Sequence, residues 1–323
     1  MKVFKRVLAI VGAFLGTFII AVCAAVTIIM IGPSRSAAEV FTLSLRETSA
    51  LKWIPNIYFS EEEIQKIIEN NTVKNTDEKT NTDLIDTSDS ISQDIEIYEI
   101  SGSTYVGDVM LIKDPSRLFV GNKGPYDGSG GTTVDVIAAR YGAIAGINGG
   151  GFYDAGGMGN GGTPDGFVIS EGEFCFGDKD TAYSSIGFTA DHKMVLGWFT
   201  GQEAIDMGLI DCVCVQTAYA PTLIINGEEQ EVAGVGGGLN PRTAIGQAAD
   251  GTIIFVTTDG RQANSIGATF SDMIKIMSDY GAVNAASLDG GSSTQMVYKG
   301  KFLNTPYALS GARDVPNAFL IRE

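Results

Sequence analysis

Histidine is almost missing from this sequence: His192 is the only one in 323 residues. That excludes multi-histidine zinc sites and confines any Ser-His or Cys-His nucleophile system to one position. Cysteine is scarce, at four. Basic residues are outnumbered, 22 Lys and Arg against 38 Asp and Glu, for a net charge of −16. A nucleic-acid binder needs a basic stripe for the phosphate backbone, so that class is excluded. Glycine is abundant, at 41, without a collagen period. Its clustering in the middle of the chain suggests tight turns and close backbone approach to a ligand.

Val7 to Ile31 contains no charged residue. A bilayer core needs about 20 such residues in a helix. Lys2, Lys5 and Arg6 precede the run, which by the positive-inside rule keeps the N-terminus cytoplasmic and the rest outside. Ser36-Ala37-Ala38 offers a small-residue cleavage site. Signal-peptide apolar cores run only about 7–15 residues, however, so the segment is read as one uncleaved single-pass anchor. Cys175, Cys212 and Cys214 then lie in a disulfide-permissive compartment, as an odd number. Cys212 and Cys214 alternate on an expected strand and read as small buried apolar residues.

The composition divides the chain into 1–38, a cytoplasmic tip and anchor; 39–69, a helical stalk; 70–94, a disordered acidic linker; and 95–323, the main domain. In the stalk, Ser60 and Glu63 form a capping box, and Phe59 with Ile64 a hydrophobic staple. The linker is dominated by Asn, Thr, Asp, Ser and Lys and lacks the apolar residues to order itself. From Ile95 onward, apolar alternation predicts strands over 95–100, 106–112, 143–147, 186–189, 194–199, 223–225, 231–232, 252–258, 285–288, 295–298 and 317–321. Asp191-His192 and Asn226-Gly227 are the expected hairpin turns. Helices are expected over 132–141, with Thr132 and Asp135 at capping-box spacing, and over 270–280, each stopped by a glycine. The fold class is therefore α+β: a mixed, largely antiparallel sheet domain with a few helices, behind one transmembrane helix.

Four segments share a design in which a strand ends and polar residues with glycine follow. They are Ile147-Asn148-Gly149-Gly150-Gly151-Phe152-Tyr153-Asp154, Asn240-Pro241-Arg242-Thr243, Thr257-Thr258-Asp259-Gly260-Arg261 and Leu288-Asp289-Gly290-Gly291-Ser292-Ser293-Thr294. Polar side chains on loops held by strands are the usual makings of a site. Taken in this order, with Asn304, Pro306 and the late Arg313-Asp314-Val315-Pro316-Asn317-Ala318, the segments resemble the phosphodiester glycosidase family over roughly 95–323. The chain departs from that family's pattern at Ala220-Pro221-Thr222, where Gly-Pro is usual, and in the glycine-rich loop from Ala155 to Thr163, with its Met158 and Asn160.

The resemblance implies an enzyme that hydrolyses the glycosidic bond of a sugar 1-phosphodiester, of N-acetylglucosamine type or related, in cell-envelope or exopolysaccharide metabolism. A phosphate leaving group benefits from positive charge on its oxygens, which suits Arg242, Arg261 and Arg313. An oxocarbenium-like centre wants a carboxylate, for which Asp259 and Asp289 are the candidates. Asp289, Asp259 and Arg242 form the expected catalytic set. The expected substrate-binding set is Asn148, Gly149, Gly150, Phe152, Tyr153, Asn240, Thr243, Arg261, Gly290, Gly291, Ser292, Ser293 and Arg313. Within it, Asn148 would bond a sugar hydroxyl or the phosphate, Gly149–Gly151 would offer N–H groups, and Phe152 or Tyr153 would stack on the sugar. Gly-Gly-Ser-Ser lacks the nucleophile-elbow pattern, so serine catalysis is not expected. His192 is read as an exposed turn residue and Asp165 as a turn aspartate.

No cofactor is expected, although Asp259, Asp289 and Asn148 make a conceivable oxygen-only set for Ca²⁺ or Mg²⁺. The expected partners are a sugar phosphodiester or envelope polysaccharide and the membrane. The alternative reading is a non-catalytic module that binds envelope glycans or assists exopolysaccharide assembly. Retention of Asp259, Asp289, Arg242 and Arg261 together favours the enzyme.

Overall fold

The computed structural model describes residues 2–48, 50–74, 76, 78–88, 92–154, 159–215, 222–307 and 311–323. Helix α1 (Lys2–Ile31) is long and apolar enough to cross a membrane. A three-residue turn leads to α2 (Arg35–Arg46), and α3 (Glu61–Glu69) follows behind the expected Ser60–Glu63 capping box.

Among the described residues, three antiparallel sheets enclose one core. The largest runs in the order β1 (Ile95–Ser101), β2 (Val106–Ile112), β13 (Ile253–Thr258), β12 (Arg242–Ala248), β14 (Ala282–Ser287), β10 (Thr222–Ile225), β11 (Glu228–Glu229). The second runs β16 (Lys301–Phe302), β15 (Met296–Tyr298), β4 (Ala145–Asn148), β17 (Asn317–Ile321), β3 (Leu118–Asn122). The third runs β6 (Glu173–Phe176), β5 (Val168–Ser170), β9 (Leu209–Val215), β7 (Ala182–Thr189), β8 (Met194–Thr200). Their inner faces meet through Met110, Ile147, Ile186, Val213, Ile245, Phe255 and Phe319.

Each outer face is also covered, which is why the central strands read as apolar runs with little alternation. Helix α6 (Phe270–Asp279) lays Phe270, Met273 and Met277 on Ala244, Ile254 and Val256. Helix α4 (Val134–Tyr141) packs Val134 and Ile137 on Phe119, Ala318 and Leu320. Helix α5 (Gly201–Asp206) brings Ala204 to Phe167, Leu209, Cys212 and Cys214. Cys212 and Cys214 thus share one buried face, as expected. All four cysteines are unbridged.

Several expectations are corrected. The N-cap of α4 is Thr133, without a side-chain cap bond, so Thr132 and Asp135 form no capping box. The strand after the Asn226-Gly227 turn is Glu228–Glu229, not 231–232. Residues 39–69 are helical in part, as expected, and α2 lies against the domain, where Leu239 N–H donates to Ser44 Oγ. The described part of 70–94 is not a disordered linker. Val73 and Ile85 are buried in it, Val73 bridges to Val232, and the Asp86 N–H donates to Ala249 O. Two apolar pegs and side-chain bonds such as Val235 N–H to Asn71 Oδ1 (2.8 Å) hold a sequence too polar to order itself alone. Ala220, Pro221 and Met158 lie outside the described residues.

Candidate active site

Antiparallel pairing brings the start of β12 beside the ends of β13 and β14: Arg242 pairs with Thr258 and Ala244 with Ser287. The ends of β4 and β9 meet there too, where the Gly151 N–H donates to Cys214 O. Four polar loops therefore leave the sheets at one place. Between them lies a cavity of about 240 Å³, lined in part by Glu47, Phe152, Asp154, Asp165, Arg242, Arg261, Asp289, Ser292 and Arg313.

Three guanidinium groups face this cavity in different states of engagement. Arg242 is only 5 % exposed and stacks on Phe270, 4.1 Å from the ring centroid. It donates to Ala268 O and Gly238 O and is paired with the Glu47 carboxylate at 3.0 Å. Arg261 sits in the left-handed region, at φ 58°. It donates to Asn240 Oδ1 and to the Glu47 carbonyl, and lies 3.5 Å from Ser292 Oγ. Burial pushes its pKa down, while Glu47 holds it up. Arg313 stacks over Phe152 at 4.7 Å and pairs with Asp154 at 2.7 Å. It also donates to Gly159 O through the same Nη2, so among the described residues Nε and Nη1 carry no protein hydrogen bond.

Glu47 is an unexpected contributor. It caps α2 on the arm, and its carboxylate also accepts from Asn240 Nδ2 at 2.8 Å. The arm reaches the site through a close approach at Gly238, where a Cβ would meet the Ser44 backbone N at 2.4 Å. Leu239 N–H donates to Ser44 Oγ beside it. Gly238→Ala is therefore expected to lever α2 off the domain. Limited trypsin digestion should cut at Arg46 and Lys52 at least about tenfold faster than in the wild type. Unchanged protection would show that the arm is held elsewhere.

Carboxyl groups line the same cavity beside these cations. Burial pushes Asp289 up to about 6; Asp165 and Asp154 push the same way, and the Ser293 hydroxyl and Arg313 oppose. Asp165 is likewise raised to about 6, by burial and then by Asp154. Its backbone N–H donates to Gly151 O, which fixes the 163–165 segment against the Gly149–Gly151 turn. Carboxyl groups poised near 6 in a cavity with cations are the usual signature of acid–base or nucleophilic work.

Of the expected site residues, Asp289, Arg242, Arg261, Arg313, Phe152, Gly290, Gly291 and Ser292 line the cavity. Asp259 does not. Its carboxylate accepts from the Thr305 N–H at 2.9 Å and faces Asn304, so it pins the 304–305 turn. Asn148 is wholly buried and occupied: Nδ2 donates to Asp289 O at 2.6 Å, and Oδ1 accepts from Thr243 Oγ1 and the Gln295 N–H. It positions the Asp289 loop instead of touching substrate, and Thr243 braces it. Asp259, Asp289 and Asn148 therefore do not converge as a metal-ligand set.

The Gly149–Gly151 N–H groups are not free either, since they donate to Asn317 O, Asn317 Oδ1 and Cys214 O. Tyr153 is 66 % exposed and off the cavity, and Phe152 supports Arg313. Asn240 braces Arg261 and Glu47, and Ser293 is buried behind the rim. His192 occupies the β7–β8 turn at φ 61° and is half-buried, not exposed. Asp154 and Glu47 were missed as site residues, and the sequence reads Asp165 first as a turn aspartate, with a place at a pocket rim as the lesser reading. Asp154 and Asp165 flank the glycine-rich loop, which is a usable signal; Glu47 follows Arg46 with no site motif around it.

A family model described as phosphodiester glycosidase matches residues 141–322, more than half of the chain. The chain belongs to the phosphodiester glycosidase family. The match takes in the loops of Asn148, Arg242, Asp289 and Arg313, but not Glu47. Among solved structures, the catalytic domain of zebrafish N-acetylglucosamine-1-phosphodiester α-N-acetylglucosaminidase, auto-inhibited by its propeptide, has a TM-score of 0.59. It is 20 % identical and aligns over 74 % of this chain and 86 % of its own, a likeness of fold. A putative exported protein from Burkholderia pseudomallei gives a TM-score of 0.49 at 18 % identity, over 68 % of this chain and 74 % of its own. The prophage-derived uncharacterized protein YomE of Bacillus subtilis (strain 168) is 46 % identical over 65 residues. That covers 20 % of this chain and only about a tenth of the relative's length.

Proposed function

We propose that this phosphodiester glycosidase hydrolyses the bond between a sugar C1 and the phosphate of a sugar 1-phosphodiester in cell-envelope or exopolysaccharide metabolism, held at the outer face of a membrane by α1. The observation that carries this reading is the cavity itself, which Asp154, Asp165 and Asp289 line together with Arg242, Arg261 and Arg313. Water adds at C1, the C1–O bond breaks, and the electron pair leaves with the phosphate as a monoester. Arg313 and Arg261 meet the charge that grows on the departing phosphate. Asp289 faces the sugar as the carboxylate that stabilises or captures the oxocarbenium-like centre. Asp165 shares the cavity and supplies the second titrating group. The zebrafish relative acts on an N-acetylglucosamine 1-phosphodiester, which supports an N-acetyl sugar here.

The test offers the full chain a panel of sugar 1-phosphodiesters and assays reducing sugar and phosphate monoester together. Equal release of both is expected. Release of neither from a folded protein would favour the glycan-binding alternative.

The reading also fixes a pH dependence. A carboxylate that acts ionised loses its role as pH falls through its pKa. With Asp289 raised to about 6, kcat/KM is expected to fall about tenfold per pH unit below 6. The nearby Asp165 charge helps to raise Asp289. Asp165→Asn should therefore move the acid limb to lower pH. A limb that moves upward, or no limb between pH 7 and 5, would remove Asp289 from this role.

A further inference from the structure

Beside the polar cavity runs a second, larger groove of about 1060 Å³. Ile29 of α1, Val40, Phe41 and Leu45 of α2, Leu51, Leu239 and Ile266 make its walls mainly apolar. Arg261 and Ser292 line both this groove and the cavity, so the two spaces meet at a guanidinium group. At its other end the groove starts on the last turns of the helix long enough to cross a membrane. That end is tied down: Thr27 Oγ1 lies 2.8 Å from the Tyr58 hydroxyl, and Met30 is buried against Thr42. An apolar path thus runs from the membrane-facing end of α1 to the phosphate-binding arginine.

We infer that the aglycone of the substrate is a lipid: its chain lies in this groove, its phosphate meets Arg261, and its sugar enters the cavity beside Asp289. The inference rests on the glycosidase reading above and names its substrate class. The order of chemistry along the path matches such a molecule. An apolar stretch is followed by a cation and Ser292, and then by polar walls with carboxyls. A contiguous apolar surface of this kind, rimmed by polar groups, marks a binding site. A water-soluble aglycone would leave it empty.

The experiment uses the full chain in lipid nanodiscs and two N-acetylglucosamine 1-phosphodiesters, one with a methyl and one with a long-chain alkyl aglycone. A diazirine-bearing long-chain alkyl phosphate provides a readout that needs no turnover. We expect kcat/KM for the long-chain substrate to be at least about tenfold higher, since burial of a few methylenes suffices for that. Labelling should fall on the Val40–Leu51 and Ile266 peptides. Ile266 and Leu51 are both exposed, so Ile266→Asp and Leu51→Asp test the walls without entering the core. Each should lower the long-to-methyl ratio toward one and suppress labelling.

Equal turnover of both substrates by the wild type would overturn the lipid assignment and leave the glycosidase reading intact. Turnover of neither, with groove labelling that the aspartate variants abolish, would keep the lipid site and overturn the glycosidase. No turnover and no labelling would overturn both.

Discussion

Asp289→Asn is expected to lower kcat on sugar 1-phosphodiesters by about 10²- to 10⁴-fold, the range for losing a positioned acid, base or nucleophile. The fold should survive. Burial already disfavours the charged form of this carboxyl, holding it up at about 6, so a neutral amide of the same shape costs little. Its loop is held by the backbone carbonyl, which accepts from Asn148 Nδ2 whatever the side chain is. Thermal unfolding at pH 7 should therefore match the wild type or rise slightly. Near-normal turnover would remove Asp289 from the chemistry. Asp259→Asn is the contrasting variant, because that carboxylate pins the 304–305 turn and does not line the cavity. It should change stability more than kcat.

The second large effect concerns Arg242 and Glu47. Both are largely buried, with side-chain exposures of 6 % and 12 %. Removing one partner of a buried pair leaves the other charge uncompensated, at a cost of about 3–5 kcal/mol. Arg242→Ala should therefore lower Tm by on the order of 10 °C. Glu47→Met alone should also destabilise. The double replacement Arg242→Met with Glu47→Met should recover most of the loss, since a buried pair replaced by apolar side chains is often close to neutral. Strictly additive losses would show that the two charges are not coupled. Activity adds a separate readout. The double variant keeps Arg313 and Arg261 in the cavity, so turnover surviving in it would show that Arg242 positions the site instead of meeting the phosphate.

Much of the domain was legible because its signals are local. The apolar stretches that became β2, β7, β8, β13 and β17, the Gly142 and Gly281 stops and the Ser60–Glu63 cap each depend on a few neighbouring residues. Strand β3 was missed because it follows a Pro115 turn and all five of its residues are buried, so it shows no alternation; β5 is only three residues long. The site was legible as a set of loops but not as a set of side-chain directions. Asp259 and Asp289 look alike in sequence, each just past a strand and before a glycine. Only the surrounding donors decide that one braces a turn and the other faces the cavity. Asn148 and Asn240 likewise had the right address and the wrong role, because buried amides are satisfied by the protein itself. Glu47 was out of reach: it pairs with Arg242 across 195 positions, and docking at a distant glycine leaves no trace in the arm.

The turn between α1 and α2 is only three residues long, and so spans no more than about 11 Å even fully stretched. With α1 in a bilayer, the start of the domain would be held against the leaflet. A lipid-linked substrate, as inferred above, would then be met by lateral diffusion in two dimensions, and the rate would follow its mole fraction in the membrane, not its bulk concentration.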